Sequence, residues 1–213
     1  GVNSNVTKRT MNLLRNFNPS ITATDGIWPF EENARYLDLT GCRYDADANG
    51  RLIIRPSALS RFMFFGDFEV IKDDQRTLER LKEPEFDPLQ KTLLIDDPGT
   101  GRGNGPAENL EFSSAKSSEI ELQFHSDSPG LVLFNDSYHK DWKAFVNGKE
   151  QPVIRANYNS MAAVVPAGRN EVVFLFEPSL FLCGLRVSYA GIAVFFLVAG
   201  VLYILRKRFG EMG

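Results

Sequence analysis

The chain has 213 residues, with 24 Lys and Arg against 27 Asp and Glu and a formal net charge of −3 at pH 7. It is 43% hydrophobic and 24% charged, with a mean hydropathy of −0.20, so most of it has the composition of a water-exposed globular protein with a real core. Neither the charge balance nor any basic, aromatic-interleaved patch suggests nucleic acid, and Cys42 and Cys183 are too few and too differently placed to form a disulfide framework.

Residues 1–40 are Asn-rich and weakly patterned, with turn signals at Asn18-Pro19-Ser20, Asp25-Gly26 and Trp28-Pro29. Glu31 to Leu39 is predicted as a short helix that turns Tyr36, Leu37 and Leu39 toward a core. Asp45 to Gly50 reads as a tight turn, Leu52-Ile53-Ile54 as a strand, and Phe62 to Ile71 as a longer strand. Asp73 or Asp74 is placed to cap a helix through Leu81, with Leu78 and Leu81 inward, and Pro84 and Pro88 end it. Lys91 to Ile95 is a further strand.

From Asp96 to Asn109 the composition turns glycine-rich. Backbone amides without side chains can approach a phosphate, but such a loop should open a helix, and Leu110 onward has strand periodicity. The stretch is therefore expected to be a flexible surface loop or linker. Glu119 to His125 then alternates polar and apolar residues without a break, which puts Ile120, Leu122 and Phe124 on one buried face. Leu131 to Phe134 is fully apolar, and Trp142 to Val146 leads into Asn147-Gly148, a pair suited to a type I′ hairpin because both turn residues need positive φ. Val153-Ile154, Met161 to Val165 and Val172 to Phe176 complete a set of short strands with turns between them.

Val187 to Leu205 holds no charged residue over 19 positions, bounded by Arg186 and by Arg206-Lys207-Arg208. At about 1.5 Å per residue it covers roughly 28 Å, close to the hydrocarbon thickness of a bilayer. A transmembrane helix is predicted, and the charge bias puts its tail in the cytoplasm and residues 1–185 outside. Gly184, Ser188 and Gly191 fall at i, i+4 and i+7, a stripe of small residues that lets a neighbouring helix approach. Gly1 to Ser20 has no apolar stretch resembling an export signal, so the chain reads as the C-terminal part of a protein with earlier spans. A tail-anchored protein is the alternative, and it places the basic cluster against the charge bias.

These segments define a mainly β fold: an antiparallel β-sandwich, jelly-roll-like, with a small α+β N-terminal part and one C-terminal transmembrane helix. The expected divisions are an α+β lobe at 1–96, a Gly-rich loop at 97–108, a sandwich portion at 109–180 that can share a domain with 1–96, the helix at 184–205 and the tail at 206–213. No cofactor and no metal site is expected.

The polar bend before Trp142 holds the candidate binding residues. Asp136, Tyr138, His139, Asp141 and Trp142 are grouped as a possible glycan contact, with Trp142 as a stacking platform and the acids suited to acid–base work. The competing reading makes Asn135 to Lys140 a plain inter-strand connection and Trp142 a core residue.

Leu131-Val-Leu-Phe-Asn-Asp-Ser-Tyr-His-Lys-Asp-Trp-Lys-Ala-Phe-Val-Asn-Gly-Lys-Glu150, then Val153-Ile-Arg-Ala-Asn157, Val165-Pro-Ala-Gly168, Glu171-Val172 and Phe176-Glu-Pro178 before a helix, resembles the C-terminal end of YfhO-type bacterial membrane proteins. Arg61 to Phe65, Leu89 to Ile95 and, less closely, Tyr36 to Tyr44 fit the same pattern. The resemblance implies a bacterial parent with many spans, similar to GT-C-type glycosyltransferases, which moves a sugar from a polyprenyl-phosphate carrier to a cell-envelope acceptor. It implies as partners the lipid bilayer, the parent's other transmembrane helices, and envelope glycan or polyprenyl-phosphate sugar. The acidic catalytic residues of that class sit in the first outer loop, so no catalytic residue is assigned to this chain.

Overall fold

The computed structural model describes residues 4–17, 34–46, 49–106, 108–116 and 118–210. The turns predicted at Asn18 to Ser20, Asp25-Gly26 and Trp28-Pro29 lie outside the described residues, as do 31–33 of the predicted helix and 47–48 of the predicted turn. The chain divides into two units, Gly1–Phe176 and Glu177–Gly213.

The first unit opens with helices α1 (Ser4–Phe17) and α2 (Ala34–Leu39). Strands β1 (Tyr44–Ala46), β2 (Leu52–Ile54), β3 (Phe62–Phe65) and β4 (Phe68–Val70) follow, then helix α3 (Asp74–Lys82) and strand β5 (Thr92–Leu94). After the glycine-rich stretch come β6 (Glu108–Asn109), β7 (Phe112–Ala115), β8 (Glu119–Ser126), β9 (Gly130–Phe134) and β10 (Trp142–Val146). The last strands are β11 (Lys149–Gln151), β12 (Ile154–Ala156), β13 (Ser160–Val165) and β14 (Gly168–Phe176).

Five strands form one sheet in the order β11-β10-β14-β8-β7, and seven form another in the order β4-β5-β12-β13-β9-β3-β6; β1 and β2 pair as a separate hairpin. The fold is thus mainly β, an antiparallel, jelly-roll-like sandwich. One pair departs from antiparallel pairing: β4 and β5 run parallel, from Phe68 beside Thr92 to Val70 beside Leu94. Parallel neighbours need a crossover of a dozen or more residues, and α3 lies in that connection.

The seven-stranded sheet is buried on both faces. Phe62, Phe64, Val132, Phe134, Met161, Ala163 and Val165 cluster with Ile120, Leu122, Ala144, Val146, Val172 and Phe174 of the other sheet. The alternate residues of the same strands, Met63, Phe65, Leu131, Leu133 and Ala162, cluster instead with Leu13 and Leu14 of α1, Tyr36, Leu37 and Leu39 of α2, and Leu78 and Leu81 of α3. A strand with two dry faces has no polar position, which is why β3 and β9 are continuous apolar runs. The five-stranded sheet keeps one face wet. In β8, Ile120 and Leu122 are buried and Phe124 packs half-buried on the same core, while Gln123 and His125 are exposed.

Local chemistry sets the element ends. The Asp73 carboxylate caps α3, accepting from the Arg76 amide at 2.7 Å, and Leu81 beneath it is 0% exposed. Asn147 and Gly148 take φ of 51° and 75° in the turn between β10 and β11, with Val146 opposite Lys149. The glycine-rich stretch, expected as a flexible surface loop or linker, is a loop between β5 and β6 that is packed down. The Gly103 amide donates to the Gly66 carbonyl at 2.7 Å, and a Cβ on Gly103 would sit 2.3 Å from the Pro129 carbonyl oxygen. Arg102 pairs with Asp67 at 2.6 Å and lies 4.2 Å over the Phe68 ring. Glycine serves close approach here.

The second unit is helix α4 (Ser179–Gly210). It starts directly after Pro178, whose carbonyl accepts from the Leu182 amide at 3.0 Å, and Ser179–Leu202 is apolar enough and long enough to cross a membrane. The helix therefore begins five residues before the expected 184, and Arg186 falls inside the apolar segment rather than closing it. A single arginine with a long apolar stem does not interrupt such a helix, because its head can reach toward water. Among the described residues Cys42 and Cys183 are both free thiols, one in each unit.

Candidate functional site

The bend after β9 is tied to its surroundings by Asn135. Its backbone amide donates to the Arg61 carbonyl at 2.8 Å, its side-chain amide donates to the Leu39 carbonyl at 3.1 Å, and its side-chain oxygen accepts from the Ser160 hydroxyl at 2.8 Å. One asparagine thus joins the residue before β3, α2 and β13 at the mouth of the bend. The Ser137 amide then bonds the Asp136 carboxylate at 2.7 Å, the local side-chain-to-backbone turn that Asp favours.

The five residues singled out in this bend do not converge. Asp136 is exposed, its side chain 48% accessible, and pairs with Arg61 at 3.4 Å. Tyr138 and Trp142 pack against the sandwich core, with Trp142 edge-on to Phe134 at 5.2 Å and tilted against Phe176 at 5.2 Å. His139 and Asp141 approach each other at 3.7 Å, the His139 ring stands 5.5 Å from Phe176, and the Asp141 amide donates to His139 Nδ1 at 3.2 Å. Trp142 therefore presents its rings to Phe134 and Phe176.

Beside Asp136 the lobe holds a cavity of about 230 Å³. Its described wall comes from five segments: Thr10 and Leu13 of α1, Tyr36, Leu39 and Thr40 around α2, Asn135 to Ser137 of the bend, Asn157 and Asn159 of the β12–β13 loop, and Ser160. Among the described residues the lining is hydroxyl and carboxamide groups with apolar patches from Leu13, Leu39 and Tyr36, and Asp136 is its one charged residue. Burial raises the Tyr36 phenol above its ordinary value, so it stays protonated.

The β12–β13 loop gives the cavity its chemistry. Asn157 and Tyr158 take φ of 43° and 70°, the left-handed region, which asparagine tolerates and tyrosine rarely adopts. The Asn157 side-chain oxygen accepts from the Leu93 amide at 2.9 Å and the Thr92 hydroxyl at 3.1 Å, fixing the carboxamide against β5. Its Nδ2 has no hydrogen-bond partner among the described residues, although Asn157 is only 4% exposed. Asn159 directs Nδ2 at the Thr10 and Ser137 hydroxyls, at 3.3 and 3.4 Å, and its buried Oδ1 is likewise unpartnered. Reversing that amide leaves the other terminal atom orphaned, because hydroxyls can donate or accept. Nothing in the spacing of the sequence signals this loop, since its neighbours in the cavity lie as far away as Thr10.

On α4, the Ser188 hydroxyl donates back to the Gly184 carbonyl at 2.9 Å, and among the described residues no atom beyond the local helix backbone lies within 4 Å of a Cβ built at Gly184 or Gly191. Arg186 and Lys207 are exposed; the side chains of Arg206 and Arg208 lie outside the described residues.

A β-sandwich lobe followed in sequence by an apolar helix of spanning length is the layout of a membrane protein. Residues 106–188, from β6 through β14 into α4, match the family model described as bacterial membrane protein YfhO. No curated protein and no solved structure matches the chain.

Proposed function

We propose that this chain is the non-catalytic, extracytoplasmic C-terminal part of a polytopic, YfhO-type membrane protein that acts as a polyprenyl-phosphate-sugar-dependent glycosyltransferase on cell-envelope glycopolymers. The observation that supports this most is the family match, which joins the sandwich strands to the start of a membrane-length helix in one stretch. In this reading the lobe attends the acceptor glycan, the bilayer surrounds α4, and the Gly184, Ser188 and Gly191 face packs against other helices of the parent. The basic cluster Arg206-Lys207-Arg208, against the lone Arg186, supports a cytoplasmic tail and an outer lobe.

Two measurements test it. Lys149 is exposed in the β10–β11 hairpin, so an impermeant amine reagent should label it on intact cells; labelling confined to lysed cells reverses the orientation. Cells lacking this chain should lose a sugar substituent from an envelope polymer. Unchanged substitution removes the transferase role and leaves the alternative, a membrane-anchored glycan- or protein-binding module, which the polar cavity favours independently.

A further inference from the structure

We propose that the β1–β2 hairpin rests on the lipid surface, with the face formed by Tyr44, Ala46, Leu52 and Ile54 sunk into the headgroup layer. The register sets Tyr44 opposite Ile54 and Ala46 opposite Leu52, so these four side chains share one face of the ribbon. All four are exposed, with Tyr44, Leu52 and Ile54 at 60, 69 and 61%. Asp45 and Ile53 lie on the other face, and Arg43, Arg51 and Arg55 alternate onto that side. Arg55 is folded onto the lobe, paired with Asp38 at 2.8 Å and donating to the Ala34 carbonyl at 2.7 Å. The ribbon is thus inverted for a surface in water: its charged side is tied to the lobe and its apolar side is turned out. A two-stranded ribbon is marginal in water by itself, so an outward apolar face calls for a cover.

Chain connectivity points to lipid as that cover. Only Glu177 and Pro178 separate the last residue of β14 from the first of α4, a link of at most about 11 Å. With α4 across a bilayer, the end of the sandwich where β14 stops is tethered at the lipid surface, whatever the angle of the helix. The hairpin is rooted at that same end. Trp142, at the start of β10, stands opposite Phe176, and its ring meets Phe134 at 5.2 Å. Asn135 follows Phe134, and its Nδ2 lies 3.3 Å from a Cβ built on Gly41, just before the hairpin. On the return side the Leu59 amide closes the base onto the Asp38 carbonyl at 2.8 Å. An element with one apolar face, a tyrosine at its root and arginines on the opposite side suits the headgroup region, where long stems lie in the apolar layer and charges reach water. The inference rests on α4 spanning a membrane; it is independent of the transferase role and of which side the lobe occupies.

The test uses the full chain in nanodiscs of phosphatidylglycerol and phosphatidylcholine, with Cys42→Ser and Cys183→Ser and a nitroxide on one new cysteine at a time. Leu52→Cys, Ile54→Cys, Ile53→Cys and, on the wet face of β8, Gln123→Cys are exposed sites, so a label there displaces no core. Labels at 52 and 54 should lose broadening by a water-soluble nickel chelate and gain it from oxygen, which concentrates in lipid. Labels at 53 and 123 should keep the nickel broadening. Nickel broadening at 52 and 54 equal to that at 123 overturns the proposal, because the face is then in water. Loss of nickel broadening with no gain from oxygen overturns it as well, because protein then covers the face, whether a second copy or another part of this chain. A chain that stays out of the discs removes the span of α4 and this contact together; a chain that enters them with 52 and 54 in water removes the contact alone.

Discussion

The two sheets of the sandwich differ in how many faces they keep dry, and that difference accounts for much of the sequence. In the five-stranded sheet β8 shows water one face, so polar residues must alternate with apolar ones. In the seven-stranded sheet β9 is sandwiched between the other sheet and three helices, and all five of its residues are buried. The same pleat is present in both strands, but only one writes it into its amino acids. A continuous apolar run is then a sign of position in the layers, not of a missing alternation.

Mutations on the two strands put this contrast under load. The largest effect is expected from Phe134→Ala: the ring is 0% exposed and touches Phe62, Trp142 and Phe174, so about 3–5 kcal/mol should be lost in denaturant unfolding of the full chain. Leu133→Ala points the other way along the same strand, toward the helices, and should cost about 2–5 kcal/mol. A near-neutral Leu133→Ala would mean that the helix layer contributes no core. Gly103→Ala, which forces a Cβ onto the Pro129 carbonyl, should cost about 1–3 kcal/mol by the same measurement.

The pinning of the glycine-rich stretch also has an acid-side signature. Burial alone would raise the Asp67 carboxyl, but hydrogen bonds from Lys91 and the Phe68 amide, with the charges of Lys91 and Arg102, hold it below its ordinary value of 3.8. A depressed folded pKa stabilises above the unfolded value and is lost as pH falls through the folded one. The stability difference between Asp67→Asn and the parent chain should accordingly be constant above about pH 5 and shrink as the pH drops below 3.8. The smallest effect belongs to the wet face: Gln123→Thr on β8 should stay within about 0.5 kcal/mol, and a larger loss would show that this face is covered.

Where the physics is local, the sequence discloses it. The Asp73 cap, the Asn147-Gly148 turn and the alternation of β8 each depend on neighbours within a few positions, and each stands where the residues place it. The parallel β4–β5 pair and the packing of the glycine-rich stretch depend on partners far along the chain, so composition alone suggested an antiparallel set and a flexible surface loop or linker. The cavity is the extreme case. Thr10 and Asn159 lie 149 positions apart and meet across it, and no spacing rule reaches that far. In the bend, the aromatic and acidic residues that attract notice are mostly consumed by packing, while two asparagines in a plain-looking loop hold the unpaired polar atoms.

The strand order of the larger sheet bears on how the nascent chain matures. Its outer members β4, β5, β3 and β6 are synthesised first, but the strands that join them, β12, β13 and β9, come last, so β3 has no β9 to pair with and β5 no β12 until translation is well advanced. At about 5–20 residues per second, the stretch from Phe65 to Phe134 takes the ribosome roughly 3–14 seconds. Throughout that wait the β9-facing edge of Phe62 to Phe65 is unpaired and greasy, and it calls for a holding chaperone or a sheltered exit until β9 arrives.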